Sequence, residues 1–313
     1  MARLIISADG PEKFAIWKEA FAKAAPDLTV CSWYTPETHL LPSDYVLVWK
    51  PEADHYAALA QAKAILCTGA GVDHLLQHPH FPVHVPLVRM GGEQTAHLMA
   101  DYVTWAAIGL LRDARTWAIQ QNQHQWVYNG IARTSAEIRI GVMGLGHLGA
   151  YVATHLARVG FQVAGWKRSA ASVPNVQVYV GQEALPEFLA TTDILVNLLP
   201  STPQTRGLVT YDFLKNLPRG AGFINVGRGE HVVQADLVQA LDTGLLCGAV
   251  LDVVTPEPLP EQSPLWGHPR VTVTPHVASE ASAYKQAEYV AQAIGQLERG
   301  ETPALLCNPH TGY

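Results

Sequence analysis

The sequence has few charged residues and no excess of positive charge. Asp, Glu, Lys and Arg together make up 15% of the 313 residues, hydrophobic residues make up 48%, and the formal net charge is −6. Such a composition is globular, because disordered chains combine low hydrophobicity with a high charge content. The Lys and Arg residues are scattered, so we expect no basic patch that would bind nucleic acid or an anionic membrane surface.

The sequence also has few cysteines and lacks clustered metal ligands. The cysteines lie far apart and form no C-x-x-C pair, which fits neither a zinc knuckle nor a disulfide framework. No H-E-x-x-H motif is present, so no metal is expected. No apolar run is long enough for a signal sequence or a transmembrane helix, which predicts a cytoplasmic protein that does not enter membranes. The four cysteines, expected to be reduced thiols, are Cys31, Cys67, Cys247 and Cys307.

What the sequence does contain is a regular alternation of short β-rich runs and helix-sized intervals. This alternation predicts an α/β fold with parallel sheets. The chain is long for a single core, and the runs fall into two series, so two domains are expected. The first series comprises residues 4–7, 45–49, 64–68 and 86–89. The second comprises residues 138–143, 162–165, 177–180, 194–198, 222–226, 248–253 and 271–274.

Two long helical patterns, 93–125 and 280–298, predict how the domains are connected. The first separates the two series of strands, and the second follows the last strand. The chain is therefore expected to begin in one domain, complete the other, and return to the first. We predict a flavodoxin-like substrate domain of residues 1–100 and 283–313, and a larger Rossmann domain of residues 101–282 that binds the dinucleotide. Both sheets are expected to be doubly wound.

The clearest local motif is G-x-G-x-x-G, which follows the strand 138–143 and precedes a helical pattern. The first glycine permits a tight turn, the second lets the backbone approach a pyrophosphate, and the third allows close packing of helix and strand. The N-terminus of the helix offers free N–H groups to the anion. An ordinary glycine-rich turn is the alternative. The dinucleotide-binding candidates in this turn are Gly144, Gly146, His147, Leu148 and Gly149.

The end of the next strand indicates which dinucleotide is bound. NAD-specific sites commonly place Asp or Glu about 20 residues after the glycine motif, where it binds the ribose hydroxyls. Here Lys167 and Arg168 stand at that position, and Ser169 follows. Basic side chains bind a 2′-phosphate that a carboxylate would repel. We therefore expect NADP(H) to be preferred, with NAD(H) possible and Trp166 adjoining the site; a solvated basic turn is the alternative.

Three ionisable residues each follow a later strand of the second series. Arg228 lies in Asn225-Val226-Gly227-Arg228-Gly229, Glu257 lies between two prolines, and His276 follows Thr274-Pro275. In doubly wound sheets, ligands bind at the carboxyl ends of the strands. We therefore expect these three residues, which are distant in sequence, to lie in one cleft. Taken singly, each is more typical of a surface or packing residue.

With these motifs in order, the chain resembles the D-isomer-specific 2-hydroxyacid dehydrogenase family over nearly its whole length. The matching segments are 144–149, 199–207, 225–229, 252–258 and 274–279. Within the family it is similar to the glyoxylate/hydroxypyruvate reductase A type. The segments that carry this narrower resemblance are 48–51, 69–73, 263–266 and 312–313.

The resemblance implies reduction of a small 2-keto acid, glyoxylate or hydroxypyruvate, to the 2-hydroxy acid. Arg228 would bind the carboxylate and polarise the ketone, His276 would act as general acid, and Glu257 would orient His276. Further cofactor-binding residues implied are Leu199, Pro200, Thr205, Val226, Gly227 and Asp252. The substrate-binding residues implied are Trp49, Lys50, Gly69, Ala70 and Gly71, together with Arg228 and His276.

Other functions remain open at this point. A non-catalytic, corepressor-like nucleotide sensor would share the fold, and a larger 2-keto acid could be the substrate. Formate oxidation is disfavoured, because the position of Glu257 carries Gln in enzymes of that type. One expected partner is a small 2-keto or 2-hydroxy acid. The other is a second copy of the chain in a homodimer, because the helical stretch 96–111 has more apolar surface than one packing partner usually covers. No nucleic acid or membrane partner is expected.

Overall fold

The β-rich runs of the sequence form the strands of two parallel sheets, and the intervals between them form helices. The structure is a computed structural model that describes residues 2–128, 130, 133–170 and 172–308. The Gly312-Tyr313 ending, which contributed to the reductase A resemblance, lies outside these residues. The chain divides into a first unit, Met1–Thr95 with Glu280–Tyr313, and a second unit, Ala96–Ser279. The predicted α/β fold with two doubly wound parallel sheets is confirmed.

The first unit contains a five-stranded parallel sheet in the order β2-β1-β3-β4-β5, which is the flavodoxin-like strand order. The middle strand β3 is buried along its whole length, as expected for a sheet covered on both faces. The strands are β1 Arg3–Ser7, β2 Thr29–Ser32, β3 Asp44–Val48, β4 Ala64–Cys67 and β5 Leu87–Val88. The helices that begin in this unit are α1 Phe14–Ala24, α2 His55–Ala58, α3 Asp73–Leu76, α4 Glu93–Leu111 and, near the C-terminus, α11 Ala283–Glu298.

The C-terminal helix α11 completes the first unit. Its residues Val290 and Ile294 are buried in the same core cluster as Trp17 and Phe21 of α1. Apolar residues at helical spacing on both helices explain why they pack together. The segment after the last strand of the second unit therefore returns to the first unit.

The second unit contains a seven-stranded parallel sheet in the order β12-β11-β10-β9-β6-β7-β8. This is the Rossmann order, extended by one strand. The strands are β6 Arg139–Met143, β7 Gln162–Lys167, β8 Gln177–Val180, β9 Ile194–Asn197, β10 Ala221–Asn225, β11 Leu246–Leu251 and β12 Val271–Val273. The helices are α5 Ala114–Asn122, α6 His147–Val159, α7 Leu185–Ala190, α8 Tyr211–Leu214, α9 Gln234–Asp242 and α10 Pro264–Gly267.

Two details of the sequence interpretation were wrong. The edge strand β2 was not predicted, because its sequence Thr-Val-Cys-Ser is only partly buried and gives a weak apolar signal. The helix expected over residues 93–125 is two helices, since Asp113 adopts a left-handed conformation with φ of 52° that ends α4 and starts α5. None of the described helices is both long and apolar enough to cross a membrane.

Candidate active site

The glycine turn after β6 has the shape of a pyrophosphate-binding loop. Gly144 has φ of 99°, which favours glycine, and its N–H donates to the carbonyl of Trp166 at 2.9 Å. A Cβ at Gly149 would collide with the carbonyl oxygen of Gly144, so only glycine lets α6 approach the strand this closely. A Cβ at Gly146 would meet no protein atom within 4 Å. The turn therefore leaves open space at the N-terminus of α6, where an anion is favoured.

The end of β7 presents basic side chains beside this turn. Lys167 is half-buried, whereas Arg168 and Ser169 are exposed. The indole of Trp166 is directed into the core and donates to the carbonyl of Gly181 at 2.8 Å, so its side chain supports the strand. The open turn and the adjacent cations fit a dinucleotide that carries a 2′-phosphate.

The loop after β9 carries the next group of predicted cofactor residues. Thr205 stabilises this loop, because its Oγ1 donates to the carbonyl of Pro200 at 2.8 Å and accepts from the N–H of Thr202 at 2.8 Å. The side chains of Leu199 and Val226 are buried. Their predicted role in cofactor binding would therefore fall mainly to their backbone groups.

Arg228 follows the buried strand β10. The backbone on both sides of it is held by Asn225, which accepts a hydrogen bond from the N–H of Gly227 at 3.2 Å and donates to the carbonyl of Arg228 at 3.0 Å. Arg228 is half-buried, and its Nη1 donates to the carbonyl of Gly227 at 2.7 Å. Gly229 is required behind it, because a Cβ there would overlap the backbone of Val254.

Glu257 and His276 form a hydrogen-bonded pair. Nδ1 of His276 lies 2.9 Å from Oε2 of Glu257, and Oε1 of Glu257 accepts from the N–H of Val254 at 3.2 Å. The side chain of His276 is 40% exposed and that of Glu257 is 32% exposed, so the imidazole edge remains accessible to a substrate. With Nδ1 bonded to a carboxylate, Nε2 is the ring atom available for proton transfer.

Asp252 holds the loop that carries His276. The carboxylate is 2% exposed and accepts hydrogen bonds from the N–H groups of Val277 and Ala278, both at 2.9 Å. It also accepts from Oγ1 of Thr274 at 2.6 Å, and its backbone carbonyl accepts from the N–H of His276 at 2.9 Å. These bonds stabilise the left-handed conformation of His276, whose φ is 59°. Sequence reasoning had assigned Asp252 to the cofactor and missed this contribution.

A tyrosine that sequence reasoning also missed extends this network. The hydroxyl of Tyr102, on α4, lies 2.6 Å from Oγ1 of Thr274. Because Thr274 donates to Asp252, Tyr102 is the donor in this contact. Burial raises the pKa of Tyr102, which keeps the hydroxyl protonated and able to donate. No motif marks this tyrosine, since only folding brings α4 beside β12.

In the first unit, the predicted substrate residues lie at the carboxyl ends of β3 and β4. The indole of Trp49 packs so closely over Gly69 that a Cβ at residue 69 would overlap it. The ring of Trp49 also contacts the ring of His74 in an edge-to-face arrangement, with ring centroids 4.4 Å apart. Ala70 and Gly71 continue the half-buried turn. Nζ of the exposed Lys50 lies 5.8 Å from the indole centroid.

One group of side chains in the first unit has the composition of a metal site. Glu52, Asp54 and His55 offer ligand atoms within 4.8 Å of one another. The two carboxylates are exposed, and exposed acidic groups are common without a metal, so the cluster does not define a site.

The chain is similar in sequence to proteins of one family over most of its length. The sequence profile described as D-isomer specific 2-hydroxyacid dehydrogenase, NAD binding domain, matches residues 104–278, which is more than half of the chain. Glyoxylate/hydroxypyruvate reductase A of Salmonella paratyphi B is 40% identical over 304 residues, covering 96% of each chain.

Solved structures resemble the chain over its full length. A D-isomer specific 2-hydroxyacid dehydrogenase from Xanthobacter autotrophicus Py2, in complex with NADPH and MES, has a TM-score of 0.91 and 40% identity, covering 100% of this chain and 99% of that one. An NADPH-dependent glyoxylate/hydroxypyruvate reductase from Sinorhizobium meliloti, in complex with NADP and sulfate, has a TM-score of 0.90 and 34% identity, covering 100% of both chains. The chain therefore belongs to the D-isomer specific 2-hydroxyacid dehydrogenase family.

Proposed function

We propose that the protein reduces a small 2-keto acid, glyoxylate or hydroxypyruvate, to the corresponding 2-hydroxy acid with NADPH as the preferred cofactor. The observation that carries this proposal is the Glu257–His276 pair at 2.9 Å, in the same unit as an open pyrophosphate turn and Arg228. A keto acid requires a cation that binds its carboxylate and an acid that protonates its ketone oxygen; the guanidinium of Arg228 and the carboxylate-bound imidazole of His276 would supply them.

In this mechanism, Arg228 binds the substrate carboxylate through its guanidinium and polarises the adjacent ketone oxygen. His276 donates the proton on Nε2 to that oxygen, and the ring is left neutral with its Nδ1 proton still bonded to Glu257. Glu257 stabilises the imidazolium before the transfer and fixes the orientation of the ring. When bound, the nicotinamide supplies the hydride to the keto carbon. The product gains one hydride and one proton, which balances the reduction.

The NADPH preference rests on Lys167 and Arg168 at the end of β7. A carboxylate at this position would repel a 2′-phosphate, whereas these cations attract it. Two of the similar structures were solved with NADPH or NADP bound. Gly144, Gly146 and Gly149, with the backbone around His147 and Leu148, would hold the pyrophosphate.

The preference for a short keto acid rests on Trp49. Its indole occupies the space over Gly69 and also contacts the ring of His74. The bulky ring would leave room only for a small substituent on the keto carbon. The turn Gly69, Ala70 and Gly71, with Lys50, would supply further hydrogen-bond donors and positive charge for the carboxylate.

We also propose that the protein is a homodimer that uses α4 and α5. Trp105 and Ile108 on α4, and Trp117 on α5, are exposed, as is Trp126 after α5. A groove of about 580 Å³ adjoins these helices and is lined by residues of α4, β11 and β12. A symmetric dimer is the commonest way to bury such apolar surface.

Light scattering on the protein as it elutes from a size-exclusion column tests this proposal. We expect the wild-type protein to have the mass of a dimer and the double variant Trp105→Glu, Trp117→Glu to have the mass of a monomer.

The decisive experiment measures nicotinamide absorbance loss with NADPH and with NADH, against glyoxylate, hydroxypyruvate, pyruvate and phenylpyruvate. We expect fastest turnover with NADPH and a short keto acid, and loss of turnover in His276→Ala. Binding of NADPH without turnover of any of these acids would instead support the non-catalytic sensor. Faster reduction of phenylpyruvate would support an enzyme for larger keto acids.

A further inference from the structure

Three completely buried polar side chains form a cluster next to the backbone of Arg228. Asn197 ends β9, Asn225 ends β10, and His231 ends the short helical turn that follows Arg228; each is 0% exposed. Asn197 and Asn225 are register partners on adjacent strands. Burial of an amide or an imidazole costs free energy unless the group is hydrogen-bonded, so this cluster calls for an explanation beyond packing.

Asn197 joins the other two side chains. Its Nδ2 donates to Oδ1 of Asn225 at 2.9 Å and lies 2.9 Å from Nδ1 of His231. Its Oδ1 accepts from the N–H of Leu199 at 3.3 Å, which fixes which end of the amide faces His231. Because an amide nitrogen only donates, Nδ1 of His231 is an acceptor and the ring proton is on Nε2.

Asn225 transmits this arrangement to the peptides around Arg228. The carbonyl of Arg228 accepts from Nδ2 of Asn225 at 3.0 Å and from the N–H of His231 at 3.3 Å. Oδ1 of Asn225 receives both the N–H of Gly227 and the amide of Asn197. The backbone on both sides of the Arg228 side chain is therefore connected to one buried network.

We propose that Asn197 and His231 are positioning residues that set the Arg228 guanidinium for the substrate carboxylate. This inference rests on the proposed function, in which Arg228 binds that carboxylate. Without the acceptor at residue 231, one proton of the Asn197 amide is left without that partner, and Asn225 loses the restraint that aligns it with the Arg228 carbonyl. A displacement of about 1 Å is enough to weaken such a contact strongly.

The test compares two variants of His231. His231→Asn places an amide oxygen near the position of Nδ1 and keeps the acceptor, whereas His231→Leu removes it with an apolar side chain. We expect His231→Leu to raise the KM for glyoxylate about tenfold, which corresponds to about 1.4 kcal/mol. The Kd of oxamate for the NADPH complex, read from nucleotide fluorescence, should rise by the same factor. The Kd of NADPH should stay within about twofold, and His231→Asn should restore most of the keto acid KM.

Thr192→Val is the matched control. Thr192 is 1% exposed and donates a buried hydrogen bond to Phe188 at 2.7 Å, but it lies just before β9, at the opposite end from Asn197. Its loss should lower the melting temperature without changing the KM for glyoxylate. If His231→Leu does not fold, Asn197→Asp is the second variant. It keeps the side-chain shape but replaces the donating amide nitrogen with a carboxylate oxygen, which cannot donate to Nδ1 of His231 or Oδ1 of Asn225. We expect it to raise the KM about tenfold as well.

Two results would overturn the inference. A folded His231→Leu or Asn197→Asp protein with an unchanged KM and oxamate affinity would show that the network serves stability alone. Equal impairment of His231→Asn and His231→Leu would show that the Nδ1 acceptor is not what matters. If wild-type protein neither reduces a keto acid nor binds oxamate, the proposed function fails, and this inference fails with it.

Discussion

Nδ1 of His276 lies 2.9 Å from Oε2 of Glu257, at the carboxyl end of the second sheet. The two residues are 19 positions apart in sequence, on loops that follow adjacent strands. The carboxylate selects the ring tautomer and leaves the opposite nitrogen for proton transfer. The pair therefore has the geometry of an oriented general acid.

Replacing Glu257 with Gln should therefore slow catalysis without displacing the ring. The amide can still bond Nδ1, but it cannot stabilise the imidazolium, so we expect kcat to fall at least tenfold and NADPH affinity to stay unchanged. Steady-state kinetics and nucleotide fluorescence measure these two quantities. Glu261→Gln, at an exposed position of the same loop, is the control. Equal kcat in Glu257→Gln and wild type would rule out this role.

Asp252→Asn should weaken the hydrogen bonds that hold the loop carrying His276, while the side chain at residue 252 keeps its shape. Asp252 accepts hydrogen bonds from two backbone N–H groups and from Thr274, and a neutral amide forms them more weakly and turns a donor toward one of them. We expect a loss of about 1–3 kcal/mol in the free energy of unfolding, together with a lower kcat. Denaturant unfolding and kinetics would be compared with Thr192→Val. A variant that loses stability but keeps full kcat would contradict the positioning of His276 by Asp252.

Arg168→Asp should reverse the cofactor preference. A carboxylate at this position would repel the 2′-phosphate of NADPH and bind the ribose hydroxyls of NADH. We expect the ratio of kcat/KM for NADPH over NADH to fall at least tenfold, because a charged hydrogen bond contributes about 1.5–3 kcal/mol. Arg158→Asp, an exposed substitution at the far end of α6, is the control. An unchanged ratio would indicate that Arg168 belongs to a solvated turn.

Trp49→Ala should widen the range of substrates. Removal of the indole frees the space over Gly69. We therefore expect the ratio of kcat/KM for phenylpyruvate to kcat/KM for glyoxylate to rise about tenfold. Trp33→Ala, which removes another large indole of the first unit, is the control for general damage. The same ratio in wild type and Trp49→Ala would exclude Trp49 as a determinant of substrate size.

Asp193→Asn should lower stability near neutral pH, and the loss should disappear in acid. Burial opposes the charged carboxylate, but hydrogen bonds from Arg139 and Arg133 outweigh it, so the pKa of Asp193 lies below its usual value. A lowered folded-state pKa contributes stability above the unfolded pKa of about 3.9, and this contribution is lost as the pH falls through the folded pKa. Denaturant unfolding from pH 7 to pH 3 should show the curves of variant and wild type converging. A constant difference would contradict this account.

The strand series and the glycine turn could be predicted, because each follows from a local pattern. The hydrogen bond between Glu257 and His276 agrees with the pairing expected of them, whereas the catalytic role of Arg228, Glu257 and His276 stays a prediction. Buried parallel strands read as apolar runs, and a G-x-G-x-x-G motif between strand and helix has few other uses. The edge strand β2 and the left-handed Asp113 could not be predicted. Partial burial weakens the apolar signal of the strand, and the residues on either side of Asp113, Leu110–Arg112 and Ala114–Arg115, favour helix.

Local sequence patterns are sufficient to specify the fold class, the glycine turn and the candidate catalytic residue types. Which polar groups come into contact depends on the folded chain. Asp252 beneath the His276 loop, Tyr102 against Thr274, and Asn197 against His231 are pairs with no fixed sequence spacing. Their contacts depend on strand order and register, which are set by how the whole sheet buries its apolar faces. A buried polar side chain shows its role only once the groups that satisfy it are in place.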